Sequence, residues 1–242
     1  MSVITSLGFF GKLPAHGDFI HRGLRSDFVS VWDEWLQGFV SSSRERLGDA
    51  WLDIYLTSPI WRFFLSAGVI DNHQWAGVTL PSVDRVGRYY PFSIVAQVDV
   101  SVSSVEFIAM QKQWYEDIET LCLAALDEEL AIDSLLAQAN GLQSTPPGFR
   151  SKASRKDLAA GLALDLDAAE QTPAAIYPQM LDTLIGYSLP CHSLWFTSGS
   201  ELVKATTLIT QGLPSKSKIA AMLDGRWQQW GWLKPYDDSP TN

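Results

Sequence analysis

The sequence predicts an α+β domain in which helices pack on a central, mostly antiparallel sheet. Two observations carry this. Strand-like segments rich in aromatic and β-branched residues come in two groups separated by helical ones, rather than alternating strictly with them. Hydrophobic residues make up 46% of the 242-residue chain, enough for one sizeable core. The expected organisation is a single domain over residues 1–242, with an irregular basic loop at 141–157 and a frayed tail at 237–242.

Taken in order, SLGFFGKL (6–13) is apolar and aromatic and is bounded by Pro14 and Gly17, which reads as a first strand. From Ser26 the period changes. Phe28, Val31, Trp32, Trp35, Leu36, Phe39 and Val40 recur at the spacing of one helical face, with Ser26 placed as N-cap. A shorter helix is expected over Glu45–Tyr55. Strands follow at 60–67, 74–80 and 92–98, with Asp71-Asn72 turning between the first two. Ser103-Ser104-Val105-Glu106 has the capping-box form, so a helix starts there, with Phe107, Met110, Trp114, Ile118, Leu121, Cys122 and Ala125 on its apolar stripe. A further helical segment runs to Ala139 and closes at Asn140-Gly141. Paired prolines, glycines and serines make 141–157 a loop. A weak helix near Ala174–Ile185, strands at 193–199 and Leu202–Gln211, and a helix starting near Ser215 complete the chain.

The formal net charge of −9 disfavours general binding to a phosphate backbone. No apolar run reaches the ~18–20 residues of a membrane span, and MSVITSLGFFGKLP lacks the form of a secretory signal. Cys122 and Cys191 have no metal-type spacing and are read as free thiols of a reducing compartment. Charge is unevenly placed. Glu116, Asp117, Glu119, Asp127, Glu128, Glu129 and Asp133 form an acidic run, and Arg150, Lys152, Arg155 and Lys156 a basic one. Each reads either as solvated surface or as a docking patch for another protein. The C-terminal Trp227, Trp230 and Trp232 read as a docked terminal helix or as an exposed aromatic contact for a partner, while most of the other tryptophans fall in core patterns.

Candidate chemistry centres on GFFGKLPAHGDFIHRG (8–23). Gly8-x-x-Gly11-Lys12 fails as a phosphate loop, because only two residues separate the glycines and Leu13 follows the lysine. His16, Asp18 and His21 are legitimate metal-ligand types, and a metal-assisted hydrolase centred on them is the enzymatic alternative. Against it, Gly17-Asp18 reads as a turn whose aspartate accepts local backbone amides. No G-x-S-x-G is present, and neither cysteine has a convincing histidine partner. The reading is therefore a non-enzyme without a cofactor.

Four segments in order, GFFGKLPAHGDF, SPIWRF at 58–63, DRVGRYYPF at 84–92 and SLWFTSGS at 193–200, resemble the signatures of the TagF (ImpM/SciT) family of bacterial type VI secretion. On that resemblance the motif positions are Gly11, Lys12, Leu13, Pro14, Gly17, Asp18 and Phe19, then Trp61, then Asp84, Val86, Gly87, Arg88, Pro91 and Phe92, then Trp195. Gly87 is expected to allow a turn barred to other residues, and Arg88 to lock it by pairing with Asp18 or Asp84. The resemblance implies a cytoplasmic accessory protein that represses secretion post-translationally, in parallel with a threonine kinase and phosphatase switch. Its implied partner is the forkhead-associated (FHA) domain scaffold, which it sequesters. Some relatives carry a fused phosphatase domain, and without one this chain is expected to act by binding alone. The acidic residues Glu116, Glu119, Asp127, Glu128 and Glu129 are one candidate partner surface, and Arg150, Lys152, Arg155 and Lys156 the rival. The remaining alternative is a structural component of the secretion machine.

Overall fold

The computed structural model describes residues 3–127, 131–142, 144–145, 161, 163–165 and 172–236. Seven strands, β1 (Ile4–Gly11), β2 (Ile20–Arg22), β3 (Trp61–Leu65), β4 (Gln74–Leu80), β5 (Phe92–Val98), β6 (His192–Thr197) and β7 (Thr206–Gln211), form one sheet in the order β2-β1-β5-β4-β3-β6-β7. Every pairing is antiparallel, which agrees with the predicted class.

Both faces of the sheet are covered, and the two-residue period of the strands divides the core between them. Phe9, Phe64, Ala76, Ile94 and Leu194 face helices α3 (Ser104–Met110), α4 (Lys112–Ala125), α5 (Ile132–Asn140) and α6 (Tyr177–Ser188). Phe10, Phe63, Trp75, Val95 and Trp195 face α1 (Ser26–Leu47), α2 (Trp51–Leu56) and α7 (Ala220–Asp224). Trp32, Trp35, Phe63 and Trp195 meet with ring centroids 4.8–6.2 Å apart. Their indole N–H groups are satisfied: Trp32 donates to Ser93 Oγ at 3.2 Å, Trp35 to Pro214 O at 2.9 Å and Trp195 to Ser193 Oγ at 2.8 Å. These tryptophans are core.

The Trp227 group is docked too, as a turn rather than a helix. Trp227 packs edge-on against Trp61 and Trp232, Trp230 donates to Asp224, and Trp232 donates to Lys218 O. The tail at 237–242 lies outside the described residues.

Several expectations shift. Ser26 is the first helical residue, not the cap. Arg25 holds the cap position without a side-chain cap, and Asp27 takes the Phe28 N–H at 2.9 Å. A hydrogen bond from Arg25 pushes the Asp27 carboxyl down to about 2. Helix α1 runs on to Leu47, and a 3₁₀ turn at Gly48–Ala50 separates it from α2, so the helix expected over Glu45–Tyr55 is the junction of two. Val31 falls at the margin of the α1 stripe and is exposed. Ser103 does cap α3, its Oγ accepting from the Glu106 N–H at 3.2 Å. The helix then breaks at Gln111, and Met110, the last residue of α3, is exposed. Strand β7 begins only at Thr206, because Ser200 donates to Val203 O and turns the chain before it. Helix α7 starts at Ala220, after turns at 216–219. Strand β2 was unforeseen; it is three residues long and has no pattern to read.

Candidate functional site

The GKLPAHGD and DRVGRYYP segments meet at one end of the sheet. At the end of β1, Gly11 has φ +139°, and a Cβ there would lie 2.2 Å from Pro91 O, so only glycine lets the two chains approach. Beyond it the chain turns, with His16 N donating to Leu13 O and Arg85 N to His16 O. The second segment folds on itself. Gly87, at φ +85°, donates from its N–H to Asp84 O, and Asp84 N donates to Arg88 O, each at 3.0 Å.

Asp84 is the hub. Its side chain has no exposure and accepts from Lys12 Nζ at 2.9 Å, Arg88 Nε at 2.6 Å, Val86 N at 3.0 Å and Arg88 N at 2.9 Å. Burial opposes the charge, yet the Arg88 amide, the Lys12 ammonium, the Arg88 guanidinium and the Val86 amide outweigh it and hold the carboxyl well below its usual range. Arg88 also donates to Gly17 O, which ties the two turns together. Ser82 Oγ donates to Lys12 O at 2.7 Å, and the buried Tyr55 hydroxyl both donates to Ser82 O and accepts from Ser82 N. The node thus joins β1, α2 and the 82–91 segment. A carboxylate with four donors and no exposure has no lone pair left for substrate or metal. It is a structural anion.

Of the two carboxylates proposed for Arg88, the structure selects Asp84. Asp18, the other candidate, is exposed and accepts the Phe19 N–H at 2.8 Å. Its predicted turn role holds; the caged position belongs to Asp84. Gly17 sits against the Arg85 guanidinium, and Pro14 lies in the turn after Leu13. Phe19 stacks on Phe10, with Lys12 Nζ 4.8 Å from its ring. The metal alternative finds no support in the geometry. His21 is exposed, and among the described residues no group of three histidine, cysteine or acidic side chains is placed to hold an ion.

Trp61 and Trp195 are both buried in the core. Beside Trp61, Arg62 forms a two-pronged pair with Glu119 (Nε–Oε1 2.6 Å, Nη2–Oε2 2.7 Å). This pair pins α4 to β3 and turns inward one residue of the acidic surface. Glu116 is half-buried, with Lys112 at 3.7 Å; Asp127 is exposed. Glu128, Glu129, Arg150, Lys152, Arg155 and Lys156, with most of the 141–157 loop, lie outside the described residues.

One polar cluster escaped sequence reasoning. Ser104 Oγ lies 2.9 Å from His192 Nε2 and 3.5 Å from Asp182 Oδ1, and His192 Nδ1 lies 2.9 Å from Leu189 O. The residue types are those of a hydrolase triad, but the order is wrong. The aspartate meets the serine, not the far nitrogen of the imidazole, and all three residues are buried. The cluster ties α3, α6 and β6 together. No spacing signalled it, since its members lie 78 and 88 residues from Ser104. Both cysteines are free; Cys122 is buried, which pushes its thiol up, and Cys191 is half-buried.

Comparison with known proteins gives two findings. The family model described as TagF N-terminal domain, Type VI secretion system-associated, matches residues 8–142. The crystal structure of PA0076 from Pseudomonas aeruginosa PAO1 superposes with a TM-score of 0.77 at 33% identity, covering 98% of this chain and 100% of that one. None of the curated proteins compared matches the chain.

Proposed function

Because the chain belongs to the TagF family associated with type VI secretion, we propose that it is a cytoplasmic repressor of that machine, which binds and sequesters its FHA-domain scaffold. The observation that supports action by binding, rather than catalysis, is the saturation of the signature residues. Lys12, Asp84, Gly87 and Arg88 are engaged with one another, and the one carboxylate among them is fully enclosed. The histidine–serine cluster is enclosed likewise. No described helix is long and apolar enough to cross a membrane, in keeping with a partner met in solution.

The docking surface in this reading is the acidic 116–133 face, of which the described part is the outer side of α4 and the turn after it at Asp127. FHA domains present arginines to phosphothreonine, and Glu116 and Asp127 offer carboxylates to such a surface. The test has two arms. In a strain lacking the chain, secretion rises if it represses; loss of secretion would mark a working part of the machine instead. In a pull-down, Glu116→Lys with Asp127→Lys abolishes scaffold capture if α4 docks, and unchanged capture removes α4 from the reading.

A further inference from the structure

Helix α6 carries an apolar face that no other described element covers. Tyr177 (59% exposed), Met180 (37%), Leu181 (45%), Leu184 (50%) and Tyr187 (59%) recur at helical spacing along it. Every other described element carries at most one large exposed hydrophobic residue. The opposite side of α6 is anchored by Asp182, Ile185 and Gly186, which are buried. The stripe is therefore held in place and turned outward by the fold.

We propose that this face binds a second copy of the chain, with the two α6 helices antiparallel across a two-fold axis. Three features choose this occupant. The first is the symmetry of the stripe. Tyr177 and Tyr187 lie equally far on either side of Asp182, and so do Met180 and Leu184. A two-fold axis near Asp182 sets tyrosine opposite tyrosine and methionine opposite leucine, the self-complementarity that an isologous contact requires. The second is charge. Between Thr172 and Pro190 the only charged residue is Asp182, and it is buried, so the stripe itself sets no charge against its copy. The third is area. At roughly 200 Å² per large side chain, these exposures offer on the order of 500 Å² per copy and about 1,000 Å² for the pair, the threshold of a specific interface.

The test is sedimentation velocity on the full chain over a concentration series. The wild type is expected to reach twice its 26.9 kDa mass as concentration rises. Leu184→Glu places a carboxylate against apolar groups of the other copy and should weaken the dimer on the order of a hundredfold. Met180→Lys combined with Leu184→Glu should restore it, because antiparallel pairing sets residue 180 of one copy against residue 184 of the other. Leu123→Glu, at an exposed site on α4, should leave the mass unchanged. All of these positions are exposed, and circular dichroism verifies that each variant folds. A wild type that stays monomeric overturns the proposal, and so does a dimer indifferent to Leu184→Glu or one that the double variant fails to rescue. If amide exchange on α6 slows only when the scaffold is added, the face belongs to that partner and the proposal fails.

Discussion

The turn node at the end of β1 and the outer surface of α4 are both rich in charge and dispose of it in opposite ways. Around Asp84, four donors close on a carboxylate with no exposure. Along α4 and the turn after it, Glu119 is drawn inward by Arg62, while Glu116 and Asp127 keep contact with solvent. A buried charge fixes local geometry because leaving it unmatched is costly, whereas a solvated charge adds little to stability and remains available to a partner. The difference separates residues that identify the fold from residues able to meet another protein.

The sharpest way to break this contrast is Asp84→Asn. It strands the buried Lys12 ammonium and should cost about 3–5 kcal/mol in chemical denaturation. A loss typical of surface changes would show that the node is not a structural anion. Glu119→Gln tests the intermediate case. It weakens the charge-assisted bonds from Arg62 and should cost about 1–3 kcal/mol. Gly87→Ala forces a side chain into a left-handed backbone with open space around it, so strain alone acts, at about 1–2 kcal/mol. Glu116→Lys with Asp127→Lys should change stability by no more than about 0.5 kcal/mol while altering scaffold capture.

Acid sharpens the contrast further. The folded-state pKa of Asp84 lies below its unfolded value, so its contribution is complete above about pH 4 and is lost as pH falls through the folded value. The stability gap between wild type and Asp84→Asn should be constant from neutrality to about pH 5 and narrow below pH 4. A gap that widens in acid would contradict the assignment.

How far the sequence could be read follows from the range of the forces. The strands at 74–80 and 92–98 were legible from their aromatic and β-branched content, since strands buried on both faces are apolar along their length, and the tryptophan face of α1 was legible because one-sided burial imprints itself on local spacing. The Ser103 cap was legible because the capping box is a local pattern of side chain and backbone. The short strand β2 was not, since three residues hold no period and its pairing with β1 decides its form. The break at Gln111 was hidden as well, because the apolar spacing runs across it. At the node, Gly87 and Arg88 could be placed from the motif, but the choice of Asp84 over Asp18 depends on a turn 72 residues beyond Lys12. The Ser104–His192 contact spans 88 residues and leaves no local trace.

The measurement that bears most directly on the account is the scaffold affinity of two variants by isothermal titration calorimetry. The account predicts that Glu116→Lys with Asp127→Lys weakens binding at least about tenfold, while Gly87→Ala, folded but less stable, binds as the wild type does. Unchanged affinity in the charge-reversed variant, with binding lost in Gly87→Ala, would contradict it and place the partner at the turn node.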